Sequence, residues 1–356
     1  MKHTITCSVL TGLILCGFFG FSTVSFGGKE TGWKELKEMP TGRWGLVTGA
    51  VNGKIYAIGG QDETPDVHKM EVYNVKKGTW KDGKKIPTGR IWAAASVVKG
   101  KIYVIGGTKD NLRAFATVEV YNTAADTWTR KADMPTPRMG LATAVVGGSI
   151  YAIGGATDLF FPSGAVEVYN TGTDTWEKRP DMPNPRWGIT AAATGPRIYV
   201  FGGALDHLRK AATDMVEEYD TTTSTWTQKA DLWIDMYGTS ASLVNSGKIY
   251  VIGGQKWKGK GGKVIEDWAF YPTVSEYDPK ADKWDKLKDD MPTPRSTVGL
   301  SVVDGKIYAI GGWPGGAGGG RRTAYEYQPP GWPFPDRWFA VSPQDKLTTK
   351  WGKIKR

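Results

Sequence analysis

The chain has 356 residues, of which 40% are hydrophobic and 23% are charged, so it has ordinary globular composition and enough length for a substantial core. Its formal net charge is +10, but the lysines lie mostly in turns such as Lys76-Lys77 and Lys84-Lys85 and form no long basic run, so we expect a solvated rim and no nucleic-acid partner. The 47 glycines, 16 tryptophans and 15 tyrosines favour many short strands and tight turns over long helices, which predicts an all-β chain.

Residues 1–26 predict a secretory signal peptide, because a short polar start with Lys2 is followed by an almost wholly apolar run. We expect cleavage near residues 25–27, secretion or export to the periplasm, and no stable membrane insertion afterwards. A lipoprotein cut before Cys16 is disfavoured by the large Leu15, and a retained anchor would be at the short limit for spanning a bilayer. Because Cys7 and Cys16 both lie in this segment, the mature chain would carry no thiol and no cysteine-based site.

After the leader, one pattern is repeated six times. An apolar run, a short turn and a second apolar run end in a double glycine, and a Glu-Val-Tyr strand and a tryptophan follow. In the third repeat this predicts strand a at Leu141–Val146, strand b at Ser149–Ile153, strand c at Val166–Tyr169 and strand d at Trp176. Each strand b is apolar on both faces, so it must be covered on both faces. The double glycines are Gly59-Gly60, Gly106-Gly107, Gly154-Gly155, Gly202-Gly203, Gly253-Gly254 and Gly311-Gly312.

This sequence pattern, with KIYVIGG and its variants, resembles the kelch repeat. The resemblance covers roughly residues 33 to 332 and implies a six-bladed β-propeller with four antiparallel strands per blade, followed by a C-terminal tail at 333–356. The aromatic pairs of the signature, each seven residues apart, are expected in the core. They are Tyr73 and Trp80, Tyr121 and Trp128, Tyr169 and Trp176, Tyr219 and Trp226, and Tyr277 and Trp284.

Closure of the ring follows from spacing. Trp33 precedes Gly59 by the 26 residues that separate other repeat tryptophans from their double glycines, yet no strands a to c precede it. We therefore predict that the N-terminal strand around Trp33 completes the sixth blade, whose own strands are expected at Thr297–Val303, Lys306–Ile310 and Thr323–Tyr327. Trp351 in the tail is the rival for this place.

A candidate ligand site lies where the d–a turns and b–c loops emerge, on the same face of the propeller. Five d–a turns carry an arginine, and the fifth turn has Met236 instead. Such a ring with aromatic neighbours suits carboxylates, sulfates or sugars. The alternative, which we prefer for most of these arginines, is that they hold carbonyl or acidic groups of neighbouring turns. The arginines are Arg43, Arg90, Arg138, Arg186 and Arg295, and the aromatic neighbours are Trp44, Trp92, Trp187 and Tyr237.

The b–c loops differ from repeat to repeat, which is where specificity usually lies on a repeated scaffold. Aromatic residues there predict a binding rim, with Trp257 and Trp268 in the longest loop. The others are Phe115, Phe160, Phe161, Phe270, Tyr271 and Trp313. An aspartate recurs soon after the double glycine in four repeats, and we favour a turn-forming role over a cation site. These residues are Asp62, Asp110, Asp158 and Asp206.

Catalytic motifs are sparse. The mature chain keeps only His68 and His207 and has no HExxH or GxSxG motif. Some secreted kelch proteins are copper radical oxidases, which need a cysteine cross-linked to tyrosine, and the mature chain has none. Others are sialic-acid mutarotases, for which Asp206, His207, Arg209 and Glu266 are conceivable acid–base residues.

We therefore expect a monomeric binding module for a protein or a glycan, without cofactor, metal or catalytic residues. A carbohydrate epimerase of the mutarotase type is the alternative. A purely structural role at the cell surface stays open as a third interpretation, because the fold implies no chemistry by itself.

Overall fold

The structure is a computed structural model that describes residues 32–62, 67–243, 246–258, 268–287, 289–315 and 319–330. The predicted leader, the tail with Trp351, and Glu266 lie outside these ranges. Within them the chain is built of β-strands, apart from one 3-10 turn at Asp158–Phe160. No helix in the described ranges is long and apolar enough to cross a membrane. The prediction of an all-β chain is confirmed.

The strands form six antiparallel sheets of four strands, one sheet per blade. The first blade contains β2 (Val47–Val51), β3 (Lys54–Ile58), β4 (Met70–Asn74) and β5 (Thr79–Asp82). The second contains β6 (Ala94–Val98), β7 (Lys101–Ile105), β8 (Val118–Asn122) and β9 (Thr127–Lys131). The third contains β10 (Ala142–Val146), β11 (Ser149–Ile153), β12 (Val166–Asn170) and β13 (Thr175–Arg179). The fourth blade contains β14 (Thr190–Thr194), β15 (Arg197–Phe201), β16 (Val216–Asp220) and β17 (Thr225–Gln228). The fifth contains β18 (Ser240–Leu243), β19 (Ile249–Ile252), β22 (Val274–Asp278) and β23 (Lys283–Lys286). The sixth contains β24 (Gly299–Val303), β25 (Lys306–Ile310), β26 (Ala324–Tyr327) and β1 (Trp33–Glu35).

The strands a of neighbouring blades lie side by side around the central axis, and hydroxyl groups join them. Ser96 Oγ is 3.0 Å from Thr143 Oγ1, and Ser301 Oγ is 3.0 Å from Thr48 Oγ1. Strands b lie one layer out and are buried on both faces, as in β3, because the apolar side chains of adjacent blades pack against each other. The core is therefore a series of layers between blades.

The N-terminal strand closes the ring, as the spacing predicted. Strand β1 pairs with β26, and Trp33 lies opposite Tyr327. The pairing continues beyond the strand, because the Leu36 amide donates to the Ala324 carbonyl over 2.9 Å. This leaves the c strand of the last blade without an open edge.

The double glycines bring each blade close to the next d–a turn. In the second blade Gly106 has φ +65°, and a Cβ atom there would lie 2.4 Å from the carbonyl oxygen of Arg138. The amide of Gly107 donates to that same oxygen over 2.9 Å. Each Tyr–Trp pair is in contact, with ring centres 4.8–5.1 Å apart. Both parts of the repeat signature are thus structural.

Several details differ from the sequence prediction; for example, strand c of the sixth blade begins at Ala324 and not at Thr323. Strand a of the sixth blade begins at Gly299 and not at Thr297, because Thr297 has φ +52° and belongs to the preceding turn. Strand a of the third blade begins at Ala142. The long b–c loop of the fifth blade contains an additional antiparallel pair, β20 (Gln255–Trp257) and β21 (Trp268–Phe270), which the sequence analysis did not predict.

Candidate functional site

The d–a turns and b–c loops meet on one face of the propeller, which we call the loop face. In each blade the residue after the Arg position forms a bridge with the residue after the double glycine, as between Trp187 and Ala204 or between Tyr237 and Gln255. These bridges fix the position of every b–c loop relative to the axis. The loop face is therefore a defined surface on which side chains from different blades come together.

The five signature arginines are buried inside this face. Arg43, Arg90, Arg138, Arg186 and Arg295 are each at most 1% exposed, and each guanidinium donates to the carbonyl of the first glycine of its own blade's doublet. Four of them also pair with a buried glutamate on strand c. The pairs are Arg43–Glu71, Arg90–Glu119, Arg138–Glu167 and Arg186–Glu217. Their contacts match the structural alternative, and none of these side chains lies at the surface to meet a ligand.

Burial and pairing act in opposite directions on these arginines. Burial lowers the pKa of the Arg90 guanidinium to about 10, while Glu119 acts to raise it, so the group stays protonated at neutral pH. A buried charge of this kind needs a partner, and the repeat supplies one. In the sequence this glutamate recurs two residues before the repeat tyrosine, as in Glu-Val-Tyr, and this recurrence was the available sign of a partner for the arginine.

The two blades without a glutamate at this position of strand c show the same dependence of the arginine on its partner. In the fifth blade Met236 replaces the arginine, and Ser275 stands at the glutamate position of strand c. In the sixth blade Arg295 is present and Tyr325 stands at that position, with the guanidinium carbon 5.1 Å from the ring centre. The arginine and the glutamate are thus both present in the first four blades and both replaced in the fifth. In the sixth, tyrosine replaces the glutamate and forms a cation–π pair with the arginine.

A ring of backbone hydrogen bonds surrounds the axis at the loop face. The amide of one residue in each d–a turn donates to the carbonyl of its counterpart in the preceding blade over 2.7–3.2 Å, and Gly45 N completes the circle on Thr297 Oγ1 at 3.3 Å. All six members have positive φ, which explains why four of them are glycine. Backbone therefore constricts the channel here. The six residues are Gly45, Trp92, Gly140, Gly188, Gly238 and Thr297.

The channel offers little chemistry for a ligand. Its larger cavity, about 180 Å³, is lined by the first residues of all six strands a, which are mainly alanine, leucine, valine, serine and threonine. A second cavity of about 100 Å³ lies at the ring of hydrogen bonds. No charged side chain lines either cavity, so recognition is better placed on the loops outside the channel.

Aromatic rings form a belt around the loop face. Centroids are 6.0 Å apart between Trp44 and Trp92 and again between Trp92 and Trp187, 5.3 Å between Trp187 and Tyr237, and 5.8 Å between Tyr237 and Trp268. Trp187 and Tyr237 are buried, whereas Trp44, Trp92 and Trp268 are partly exposed. The structure therefore brings these predicted aromatic residues into contact, with some rings buried in the interior and others partly exposed at the surface.

On the far side of the ring, Trp313 continues the belt. It lies 6.2 Å from Trp44 and 5.2 Å from Phe270. Trp257 lies opposite the belt residue Trp268 in the β20–β21 strand pair. The ammonium of Lys210 lies 5.2 Å from its ring centre, which links the loops of the fourth and fifth blades.

An exposed apolar surface lies on three adjacent b–c loops. Five of the six exposed large hydrophobic side chains in the described ranges are found there, each 40–56% exposed. The loops touch: the Leu159 amide donates to the Leu112 carbonyl over 2.9 Å, and the Phe161 ring stacks on His207 at 4.9 Å. We call this surface the loop patch. Its residues are Leu112, Leu159, Phe161, Leu205 and Leu208.

Arg209 provides a charge at the edge of the loop patch. Its guanidinium carbon lies 4.3 Å from the centre of the Phe160 ring and 5.9 Å from that of Trp187, so the group is held in place by stacking. Within the described residues it has no carboxylate or carbonyl partner. An oriented guanidinium with free N–H groups is suited to bind a carboxylate, sulfate or phosphate.

The recurring aspartates shape the loops. Asp110 accepts the amides of Leu112 and Arg113, and these bonds hold the pKa of its carboxyl below the usual value. Asp206 accepts the amides of Lys210 and Ala211, each over 3.0 Å. Asp158 reaches to the neighbouring loop and accepts the amide of Ala114 over 2.8 Å. No group of metal-ligand side chains of the required size occurs in the described ranges.

Among the described residues, Asp206, His207 and Arg209 do not form an acid–base pair. Asp206 is occupied by two backbone amides, and His207 stacks on Phe161 with no acidic partner shown. Glu266 lies outside the described residues. His68 is on a different blade, where its Nδ1 lies 2.9 Å from the carbonyl oxygen of Ile86.

Six four-stranded blades, a terminal strand that closes the last one, and repeated Arg–Glu and Tyr–Trp pairs define a β-propeller of the kelch class. A family model agrees: the KLHDC2/KLHL20/DRC7 Kelch-repeats domain matches residues 21–155 and 94–312. The chain belongs to the kelch-repeat family.

A solved structure titled "Structure of YjhT" is similar to this chain, with a TM-score of 0.69 and 18% identity. The match covers 81% of this chain and 95% of that chain. At this identity the likeness shows the fold alone. No curated protein sequence matches the chain.

Proposed function

We propose that this kelch propeller is a binding module that takes a protein or glycan partner on the loop patch. The supporting observation is that nearly all large exposed hydrophobic side chains in the described ranges are concentrated on three loops that touch one another. Contiguous apolar surface with a polar rim is typical of interaction sites. Arg209 adds an oriented charge beside it, and aromatic and arginine residues often dominate binding energy.

We further propose that the protein acts outside the cytoplasm. The support is the sequence of residues 1–26, with an apolar run after Lys2, and a remainder of the chain without cysteine. In an exported protein the loop patch would meet extracellular or periplasmic partners, which include both glycans and proteins.

Binding is expected to depend on Phe161 and Leu208. With a partner selected from glycan and peptide arrays, the double variant Phe161→Ser, Leu208→Ser should lose at least about tenfold in affinity, because each side chain contributes to the apolar contact. Isothermal titration calorimetry measures the change. Trp233→Ser is the matched control, since Trp233 is 55% exposed but lies on the d–a turn before the fifth blade.

Equal loss in the control and in the double variant would place the partner elsewhere. Arg186 is unsuited to this test, because its guanidinium is buried on Glu217 and its replacement would disturb the blade. Arg209→Ala is the better charge variant, since its side chain stacks on the surface of the loops and holds no described polar group in place.

The alternative function is a carbohydrate epimerase of the mutarotase type. The feature that favours it is again Arg209, whose free guanidinium would suit the carboxylate of an acidic sugar. Saturation-transfer NMR with a panel of acidic and neutral sugars tests this idea by the rate of anomer exchange. Exchange at the uncatalysed rate for every sugar would reject it, whereas acceleration lost in Arg209→Ala would support it.

A further inference from the structure

A basic groove runs between the first and second blades, away from the loop face. Its larger part, about 270 Å³, lies between the sheet face of the first blade and the c–d turn of the second blade. A second part of about 260 Å³ adjoins it and continues over the first sheet towards its own c–d turn. The two parts share Lys54, Val72 and Lys81. Because Lys54 follows the a–b turn, this groove opens towards the face opposite the loop patch.

The corresponding cleft between the fourth and fifth blades is filled by charged side chains. There Lys229 lies 3.4 Å from Glu218 and 4.0 Å from Asp282 of the next blade. In the first blade Val72 stands at the position of Glu218, and Gly83 stands at the position of Lys229. The groove is open because these two residues are short and uncharged.

Lys54 of this groove lacks the partner that its counterparts in the last three blades have. In the last three blades a basic residue, either the first of strand b or the one immediately before it, pairs with a glutamate on strand c, as between Arg197 and Glu218 at 3.4 Å. The two other pairs are Lys248–Glu276 and Lys306–Glu326, at 3.7 and 2.6 Å. In the first blade the glutamate is replaced by Val72.

Four lysines therefore surround a groove with two acids. Lys54, Lys77 and Lys81 have no ion pair within the described residues, and Lys84 makes only a 3.4 Å contact with the Asp126 carbonyl. The acids are Asp82 on the strand and Asp126 on the far wall, and Asp126 already accepts the Tyr121 hydroxyl. The lysines of the groove outnumber its carboxylates, so the groove carries net positive charge.

We propose that this groove binds a linear acidic oligosaccharide through its carboxylate or sulfate groups. Lysine ammonium groups on flexible stems suit anionic groups spaced along a chain. The floor is formed by Val72 and by the small exposed edges of Tyr56 and Tyr121, which offer van der Waals contact but no open ring face. Both tyrosines are at most 5% exposed, so neither offers the open ring on which nucleic-acid bases stack.

The test uses a variant that the protein itself suggests. Val72→Glu introduces the glutamate of the last three blades, where it pairs with the basic residue of strand b and accepts a tyrosine hydroxyl, as Glu326 accepts Tyr308 over 2.9 Å. It should neutralise Lys54 without disturbing the fold. Val120→Glu is the matched control, because it places the same charge beside Lys101 in the second blade.

Binding is measured by titration of the mature protein with a sulfated heparin-derived hexasaccharide and a hexamer of galacturonic acid, and with a neutral cellulose hexamer. We expect one or both acidic sugars to bind, with weaker binding at high salt. Val72→Glu should reduce affinity at least about tenfold, while Val120→Glu should leave it nearly unchanged. Which acidic sugar binds identifies sulfate or carboxylate as the recognised group.

The proposal fails if neither acidic hexamer binds, if both variants lose affinity equally, or if a single-stranded DNA oligonucleotide competes as well as the sugars. Thermal unfolding checks that Val72→Glu is folded. If it is not, Lys54→Gln with Lys81→Gln replaces it and should show the same loss. Phe161→Ser, Leu208→Ser should retain this binding, so the outcome is separate from that at the loop patch.

Discussion

Arg138→Met should lower the free energy of unfolding by about 3–5 kcal/mol, and adding Glu167→Ser should restore part of it. In the native third blade Arg138 Nη2 lies 2.7 Å from Glu167 Oε2, and both side chains are buried. Removing the arginine leaves the carboxylate buried without its counter-charge. Glu167→Ser alone is expected to cost a similar amount, because it leaves the guanidinium charge unpaired.

The double variant reproduces the fifth blade, where Met236 and Ser275 occupy these positions. It still loses the bonds from Arg138 to the carbonyls of Gly154 and Ala165, each 2.7 Å long, so we expect a remaining cost of about 1–3 kcal/mol. The double variant should therefore be more stable than either single variant. Such a reversal is the mark of a buried ion pair.

Denaturant unfolding of the protein measures all three variants. Arg130→Met is the matched control. Arg130, on the preceding strand β9, pairs with Asp133 at 2.8 Å, but both of these side chains are largely exposed. Its effect should stay below about 1 kcal/mol. If the double variant were less stable than both single variants, the contacts to the carbonyls, and not the charge pair, would dominate.

The scaffold could be predicted because each of the six repeats carries the same apolar strands and double glycine. A strand such as Lys101–Ile105 is apolar on both faces and ends in glycines, and only a layered sheet arrangement buries it. The closing role of Trp33 followed from spacing alone. The role of Arg138 was harder, because sequence shows neither that its side chain turns inward nor that Glu167 lies beside it.

The loop patch was beyond sequence reasoning for a physical reason. Leu159 and Phe160 both have positive φ, at 55° and 63°, and this reverses the direction of the chain. As a result Phe160 is 6% exposed and packs under Arg209, whereas Phe161 is 51% exposed. Adjacent identical residues thus have opposite roles, and the contact between Leu112 and Leu159 joins loops of different blades.

Trp33→Ala should open the ring at its closing strand. Trp33 is 8% exposed, its ring centre lies 4.7 Å from that of Tyr327, and its Nε1 donates to the Asp289 carbonyl over 2.8 Å. It belongs to a core cluster that includes Tyr250 of the fifth blade. Loss of this side chain should cost about 3–5 kcal/mol and weaken the pairing of β1 with β26.

Hydrogen exchange distinguishes opening from simple loss of packing. In Trp33→Ala the amides of β26 should exchange markedly faster, because β1 detaches and exposes its edge. Trp128→Ala is the matched control: its ring contacts Tyr121 at 5.1 Å, but a short turn joins its strand β9 directly to its partner β8, whereas β1 and β26 are far apart in the sequence. That variant should be destabilised while β8 keeps its protection until global unfolding. Unchanged protection of β26 in Trp33→Ala would show that the backbone pairing of β1, and not its tryptophan, holds the propeller closed.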